Sequence, residues 1–233
     1  MAIILNGFIV RKGILRNKIK MKVCLIILFI NFAFCFPLMA KTLFLGDSLT
    51  AVYEKSAKYV LDEKIEAEYV SGSGLINKSK KDWIAFVNNF DLREFDNVII
   101  SLGTNDFVQY GSDERQKYYS LVFQLIAEIQ NENPLATIIW ISPPHLKNPE
   151  HEHYLIHTRH IIKHSAMLLN IHYLDINQPH ILGTQWQPVI HHETVRTDDG
   201  IHITRKGGER VIREVVKNPE WTGLTKVEKM TKN

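Results

Sequence analysis

In the stretch "KTLFLGDSLTA", residues 41–51, a short apolar segment is followed directly by a polar turn. Residues 43–45 predict a buried strand, and residues 49–61 predict the helix that follows it. Ser48 lies between the two and has two interpretations. It is either a helix N-cap, which accepts a hydrogen bond from the first-turn amides, or a nucleophile placed where a helix N-terminus offers N–H groups to a developing negative charge.

The alternation of strand and helix continues along the chain. Further strands are predicted at residues 66–70, 97–102, 136–142 and 171–175, and further helices at 80–89, 114–131, 152–169 and 205–216. This order predicts parallel βαβ units, and therefore a flavodoxin-like α/β fold: a three-layer α/β/α sandwich with a mainly parallel sheet of about five strands. Ligands bind outside the carboxyl ends of the strands in such sheets, so the polar residues after the strands should converge on one edge.

The first 40 residues have the pattern of an export signal. Basic residues precede an apolar run at residues 23–36, and the small residue Ala40 ends the segment. The run is shorter than the roughly 20 residues of a membrane span. We predict a signal peptide over residues 1–40, with Met21 as an alternative start, and one domain over residues 41–233 without a membrane span. An uncleaved anchor is the alternative.

Charge and cysteine content exclude some classes of function. The leader holds six of the 28 lysine and arginine residues and none of the 25 acidic residues, which leaves 22 basic against 25 acidic residues in the remainder. A nucleic-acid partner is therefore not expected. Both cysteines, Cys24 and Cys35, lie in the leader, so the mature chain has no cysteine nucleophile. An exported chain without disulfides is expected in the periplasm of a Gram-negative bacterium or outside the cell.

Four short stretches carry residues that suit acyl transfer: "GDSL" at 46–49, "SGSG" at 71–74, "GTND" at 103–106 and "DGIH" at 199–202. A serine hydroxyl needs a base within hydrogen-bond reach, itself oriented by a third group. Asp199 and His202 are three residues apart, which is close enough for such a pair. Loop glycines and the Asn105 amide can donate to an oxyanion.

These four stretches, in this order, resemble the SGNH/GDSL hydrolase superfamily of GDSL-like lipases and acylhydrolases. The resemblance implies that Ser48 is the nucleophile and His202 the general base, oriented by Asp199. It implies oxyanion donors from the N–H of Ser48, the N–H of Gly74 or Gly72, and the side chain of Asn105. The single domain would then be an SGNH hydrolase domain.

Some assignments within the motifs have alternatives. Gly74 is favoured over Gly72 because it precedes Leu75, as in the branch that this chain resembles. Asp198 is an alternative to Asp199 as the group that orients the base. The resemblance gives Asp47 a supporting role that braces the loops. Asp106 is expected to be structural, and Asn105 could instead hold a turn.

Some histidines outside these motifs are candidate metal ligands. Four of them form one stripe of the helix predicted at 152–169: His153, His157, His160 and His164. The apolar residues of this helix form a different face, so we expect the stripe to be solvated and predict no metal site. His145 follows a strand end and is expected to line the cleft.

The sequence thus predicts an exported serine esterase without a cofactor, acting on a small-molecule or polysaccharide ester. The flanking stretches "SGSGLIN", "WISPP" and "DGIHITRKG" resemble a periplasmic branch that acts on O-acyl groups of envelope polysaccharides, which favours small groups such as acetyl. The alternatives are an O-acetyltransferase on cell-envelope glycans with the same triad, a lysophospholipase or thioesterase, and a catalytically inactive glycan-binding module.

Overall fold

A computed structural model describes residues 40–61, 64–109 and 111–218. The predicted signal peptide, apart from Ala40, lies outside these residues. The central sheet contains five parallel strands: β1 (Lys41–Gly46), β2 (Lys64–Tyr69), β3 (Asn97–Ser101), β4 (Thr137–Ile141) and β5 (His172–Leu174). Their spatial order, β2-β1-β3-β4-β5, is that of flavodoxin-like sheets, so the predicted fold class is confirmed.

Helices cover both faces of the sheet. They are α1 (Ser48–Val60), α2 (Trp83–Val87), α3 (Ser112–Glu132), α4 (Pro149–Leu168) and α5 (Arg205–Val216), with a 3₁₀ turn at Leu92–Glu94. The first and last helices, α1 and α5, pack against each other over one face, and the other three cover the opposite face. None of the helices in the described part of the chain is long and apolar enough to cross a bilayer.

The strands bury side chains on both faces. In β1, Leu43 and Leu45 point into the core under α2, α3 and α4, whereas Phe44 points into the core under α1 and α5. All five residues of β3 are buried. Two buried faces explain why the central strands are continuous apolar runs and do not alternate with polar residues.

One backbone position fixes the end of β1 against β3. Gly46 has a φ of 153°, and a Cβ atom there would lie 2.0 Å from the carbonyl oxygen of Ser101. The next residue, Asp47, donates its N–H to that same oxygen at 3.0 Å. A glycine is therefore required where the chain leaves β1, and it places Asp47 and Ser48 beside the end of β3.

Two features differ from the sequence prediction. The helix expected at residues 80–89 is a single short segment, Trp83–Val87, which Asp82 caps through its side chain. A hairpin of β6 (Val189–Ile190) and β7 (Glu193–Thr194) was not predicted. Its turn consists of His191 and His192 at φ values of 46° and 65°. Non-glycine residues rarely adopt this conformation, so the sequence carried no turn signal there.

Candidate active site

Ser48 is the first residue of α1, and its hydroxyl does not cap that helix. The cap is Asp47, whose Oδ1 accepts a hydrogen bond from the N–H of Leu49 at 2.9 Å. The N-cap interpretation of Ser48 was therefore wrong. The serine hydroxyl is left to another partner, at a helix end where the macrodipole favours negative charge.

That partner is His202. Ser48 Oγ lies 2.7 Å from His202 Nε2, and His202 Nδ1 lies 2.7 Å from Asp199 Oδ2. The structure thus brings Ser48 within hydrogen-bond distance of a histidine that lies 154 residues further along the chain. The carboxylate of Asp199 is hydrogen-bonded to the imidazole ring, and the adjacent residue Asp198 is exposed. A hydroxyl, an imidazole and a carboxylate in this order form the chain that activates a serine nucleophile.

The carboxylate of Asp199 is held by donors from its own loop. Its Oδ1 accepts hydrogen bonds from the N–H of Ile201 at 2.8 Å, the N–H of His202 at 2.9 Å and the hydroxyl of Thr197 at 2.7 Å. Partial burial alone would raise the pKa of Asp199, but these hydrogen bonds and the one with the His202 ring outweigh it and lower the pKa well below its usual range. An ionised Asp199 can only accept a hydrogen bond, so Nδ1 carries the ring proton and donates it to Asp199, and the lone pair of Nε2 is left to accept from the Ser48 hydroxyl.

A buried arginine supports this segment, which we call the base loop (residues 196–202). Arg196 is 1% exposed and donates from Nη2 to the carbonyl of Ile201 at 2.8 Å and from Nε to the carbonyl of His202 at 3.3 Å. Burial lowers its pKa to about 10, so the guanidinium is still charged at neutral pH. Sequence reasoning missed Arg196, because arginine is rarely buried and nothing in "VRTDDG" marks it as such.

Asn105 lies in the asparagine loop (residues 103–107), after β3. Its Nδ2 donates to the carbonyl of Ser73 at 2.9 Å and approaches Asp47 Oδ2 at 3.4 Å. Ser73 belongs to the glycine loop (residues 71–76), after β2. The asparagine amide therefore ties three strand ends together on the edge where the sequence predicted them to converge.

The side chain of Asp106 holds the glycine loop in position through hydrogen bonds. Its carboxylate is buried and accepts hydrogen bonds from the N–H groups of Leu75 and Ile76 at 2.9 and 3.0 Å, and from the hydroxyl of Tyr118 at 3.1 Å. A Cβ atom on Gly74 would lie 2.2 Å from Asp106 Oδ1. Gly74 must therefore be glycine for the loop to pack on this carboxylate. A Cβ atom on Gly72 would meet only the flexible end of Lys80, but its φ of 69° also favours glycine.

Two carboxyl groups on this side of the site are removed from water. Burial raises the pKa of Asp47 to about 7, although hydrogen bonds from Leu49 and Thr104 lower it in part, and the nearby Asp106 raises it further. Burial also raises the pKa of Asp106, against the hydrogen bonds from Ile76, Leu75 and Tyr118. Both groups accept hydrogen bonds from backbone and side-chain donors of the site, which suits them to holding it in shape.

His145 follows β4 and is half-buried. Its Nδ1 lies 2.7 Å from Glu152 Oε1, and its N–H donates to Asn177 Oδ1 at 2.9 Å. Two residues on, the N–H of Lys147 donates to the carbonyl of Gly200 at 2.9 Å, so this segment lies beside the base loop. The place of His145 in a cleft stays a prediction.

The predicted histidine stripe lies on α4. The exposed members of the stripe are His153, His160 and His164, and the half-buried member is His157. Burial lowers the pKa of His157, assisted by the nearby Arg115. Across residues 40–61, 64–109 and 111–218, no cluster of three or more histidine, cysteine or acidic side chains is arranged to hold a metal ion.

Comparison with solved structures defines the class of fold. A lipase/acylhydrolase from Enterococcus faecalis superposes with a TM-score of 0.55 at 18% identity over 80% of this chain and 98% of its own. A protein described as a GDSL-like lipase from Bacteroides ovatus gives 0.61 at 15% identity, over 82% and 56%. A catalytic mutant of an acetylxylan esterase from Geobacillus stearothermophilus gives 0.52 at 20% identity, over 76% and 93%.

These similarities show that the chain has the fold of the SGNH/GDSL hydrolases, which confirms the superfamily resemblance at the level of the fold. Residues 41–218 match a family described as "Protein of unknown function (DUF459)", and the chain belongs to this family. No curated protein sequence matches the chain significantly.

Proposed function

We propose that this protein is an exported serine esterase that hydrolyses carboxylic esters through an acyl-enzyme. The observation that carries the proposal is the hydrogen-bonded chain from Ser48 Oγ through the two ring nitrogens of His202 to Asp199, with 2.7 Å at both junctions. The distances lie within the range for a nucleophile and its base, and the base is held by a third group.

In the first step, Ser48 Oγ attacks the carbonyl carbon of the ester while His202 Nε2 takes the hydroxyl proton. The carbonyl π electrons move to oxygen and give a tetrahedral oxyanion. The imidazolium that forms is stabilised by the Asp199 carboxylate, which stays ionised because its pKa is held low. His202 then gives its proton to the alcohol oxygen, and the carbon–oxygen bond to that alcohol breaks.

The oxyanion is assigned three donors. The N–H of Ser48 is at the first position of α1, where helix N–H groups have no intrahelical acceptor. We assign the second donor to the N–H of Gly74 and not of Gly72, because the rigid Asp106 carboxylate fixes Gly74. The third is Asn105 Nδ2. One of its hydrogens is donated to Ser73, and the other makes only the long contact of 3.4 Å with Asp47, so we assign this second hydrogen to the oxyanion.

Deacylation repeats these steps with water. His202 Nε2 takes a proton from the water as its oxygen attacks the acyl carbon, and it returns that proton to Ser48 Oγ as the acyl–serine bond breaks. The products are one alcohol and one carboxylic acid, and the enzyme is regenerated. This sequence requires no redox step.

The proposed substrate class is a small O-acyl ester on a carbohydrate. The leader at residues 1–40 supports export, and one structural neighbour is an acetylxylan esterase. An exported enzyme meets the polysaccharides of the cell envelope, whose acyl groups are esters of the required kind. We therefore place the protein in the periplasm or outside the cell.

Hydrolysis of p-nitrophenyl acetate tests the reaction type. Ser48→Ala should lower kcat/KM by at least about 10⁴-fold, because the nucleophile is removed. Ser120→Ala, which removes an exposed serine hydroxyl on α3, is the matched control and should keep wild-type activity. A wild-type protein that hydrolyses neither this ester nor acetylated sugars, or a fully active Ser48→Ala, would contradict the proposal.

A further inference from the structure

A small pocket of about 140 Å³ lies beside the loops that hold the assigned oxyanion donors. It is lined by Ile76, Phe107, Gln109, Glu114, Lys117 and Tyr118. Ile76 follows Gly74 by two residues, and Phe107 follows Asn105 by two residues. The glycine loop and the asparagine loop therefore each contribute a residue to the wall of the pocket.

The wall nearest the assigned oxyanion donors is rigid. The buried carboxylate of Asp106 binds the N–H of Ile76 at 3.0 Å and the hydroxyl of Tyr118 at 3.1 Å. The carbonyl of Asp106 also accepts a hydrogen bond from Thr158 of α4. One residue thus fixes both the position of Gly74 and the inner wall of the pocket. A ligand in this pocket would be held at a defined distance from the oxyanion donors.

The lining has an apolar side and a polar side. Phe107 packs its ring on that of His151, with centroids 4.6 Å apart and planes at 31°, and Ile76 is 42% exposed beside it. The first turns of α3 add the exposed side chains of Glu114 and Lys117 to the lining. The N–H of Gln109 donates to Glu114 Oε2 at 3.2 Å and holds that carboxylate at the rim.

This combination matches a sugar ring better than an aliphatic chain. A pyranose has an apolar face of C–H groups and an edge of hydroxyl groups, so it can contact Phe107 while its hydroxyls bind a carboxylate and an ammonium. A hydrocarbon chain would remove water from Glu114 and Lys117 without replacing their hydrogen bonds, which is unfavourable. The volume is below the roughly 300 Å³ at which pockets accept larger ligands, so it suits one ring.

We propose that this pocket is a subsite for one sugar unit of the alcohol part of the substrate, which makes an O-acylated glycan the substrate class. The inference rests on the proposed esterase function and deepens it. Phe107 and Ile76 provide the apolar contact, and Lys117 and Glu114 bind hydroxyl groups. In this proposal the acyl group is left to the region around Ser48.

The test compares two kinds of ester with the purified full chain. One is p-nitrophenyl acetate, whose alcohol is not a sugar; the other is a panel of acetylated xylo-, chito- and manno-oligosaccharides. The measured quantity is the ratio of kcat/KM on the best oligosaccharide to kcat/KM on p-nitrophenyl acetate. Lys117→Met and Phe107→Ala should each lower this ratio about tenfold or more, mainly through a higher KM on the oligosaccharide.

The matched control is Lys163→Met, which removes an exposed ammonium on α4 and should leave the ratio at the wild-type value. If Phe107→Ala does not fold, Lys117→Met carries the test, because Lys117 is exposed on a helix. An unchanged ratio in Lys117→Met overturns the subsite.

A wild-type protein that hydrolyses p-nitrophenyl acetate but none of the oligosaccharides also overturns the subsite. A loss in Lys117→Met that depends on acyl length, measured with p-nitrophenyl acetate and hexanoate, would assign the pocket to the acyl group. Failure of the wild type on every ester would overturn the proposed function itself.

Discussion

Asp47 and Asp199 are both neighbours of a residue in the assigned triad, yet their surroundings are opposite. Asp47 precedes Ser48, is fully buried, and has a pKa raised by burial to about 7. Asp199 is three residues before His202, its side chain is 47% exposed, and local hydrogen bonds lower its pKa. The first caps a helix and touches Asn105, whereas the second touches the His202 ring.

The difference separates two tasks. A group that orients and stabilises an imidazolium has to stay ionised, so donors rather than burial must dominate its environment. A group that braces strand ends can tolerate a raised pKa, because it acts through fixed hydrogen bonds. The two sides of the site should therefore respond differently to loss of a carboxylate: the base loop through rate, and the buried side through stability.

The largest expected effect is on the base loop. Asp199→Asn keeps a similar shape but can donate to His202 Nδ1, which favours the wrong tautomer, so kcat should fall by about 10⁴-fold. Steady-state hydrolysis of p-nitrophenyl acetate measures this. Asp198→Asn is the matched control and should stay within a few-fold of wild type. The reverse ranking of the two variants would show that the orienting carboxylate is Asp198.

On the buried side, the largest effect on rate should come from Asn105. Asn105→Ala removes one assigned oxyanion donor and should lower kcat by roughly 10²–10³-fold with a smaller change in KM. Asn131→Ala, at an exposed position on α3, serves as the control. Near-normal turnover in Asn105→Ala would leave Asn105 with only its structural contact to Ser73.

A smaller loss is expected when the base loop loses its buried support. Arg196→Met removes the side-chain donor to the carbonyl of Ile201 and one of the donors to the carbonyl of His202, which should displace the imidazole and lower kcat by roughly 10- to 100-fold. Arg196→Lys should recover part of this loss, since it keeps a buried cation. The exposed Arg213→Met provides the comparison. Full activity in Arg196→Met would show that the contacts of Asp199 and Thr197 hold the loop in shape without the arginine.

The smallest effect concerns stability and pH. Because the folded pKa of Asp47 is above that of an ordinary aspartate, the folded state binds its proton more tightly, and the free energy of unfolding should fall between about pH 4 and pH 7. Asp47→Asn can still accept from Leu49 and should lessen this fall by on the order of 2–4 kcal/mol.

Urea unfolding at pH 4.5 and at pH 7.5, each point taken at about equal ionic strength, measures this slope. Asp199 does not interfere, because its pKa is lowered: its stabilising contribution is fully present above about pH 4 and is lost only as the pH falls below that value. Asp106 contributes with the same sign as Asp47, so some slope should remain. An identical slope in Asp47→Asn would contradict the buried assignment of that group.

The sheet was predictable from the sequence because its central strands are buried on both faces. Residues 97–102 and 136–142 are apolar runs with no competing interpretation, and the observed β3 and β4 fall within them. The hairpin of β6 and β7 was not predictable, because His191 and His192 form its turn in a conformation that histidine rarely adopts.

The approach of the first three motifs to one another was also predictable, since each follows a parallel strand and such strands end on the same edge of a sheet. The fourth motif, at residues 199–202, comes after the β6–β7 hairpin, and its place beside Ser48 was expected only from the chemistry of a serine nucleophile and from the resemblance. The residues that hold the site in shape were harder to predict. Arg196 stabilises the base loop through carbonyl groups that no motif records, and the cap of α1 is Asp47 rather than Ser48. The pocket beside Phe107 depends on how α3 meets the glycine loop, which is a packing relation without a sequence signature.

Trapping the acyl-enzyme tests whether Ser48 is the nucleophile. The protein is mixed with excess p-nitrophenyl acetate, quenched in acid within the first turnovers, digested and analysed by mass spectrometry. We expect one acetyl group on the peptide that contains Ser48, at a level that falls as the substrate is exhausted, and no such label in Ser48→Ala. A stable acetyl group on another residue, or turnover without any labelled Ser48, would contradict the account.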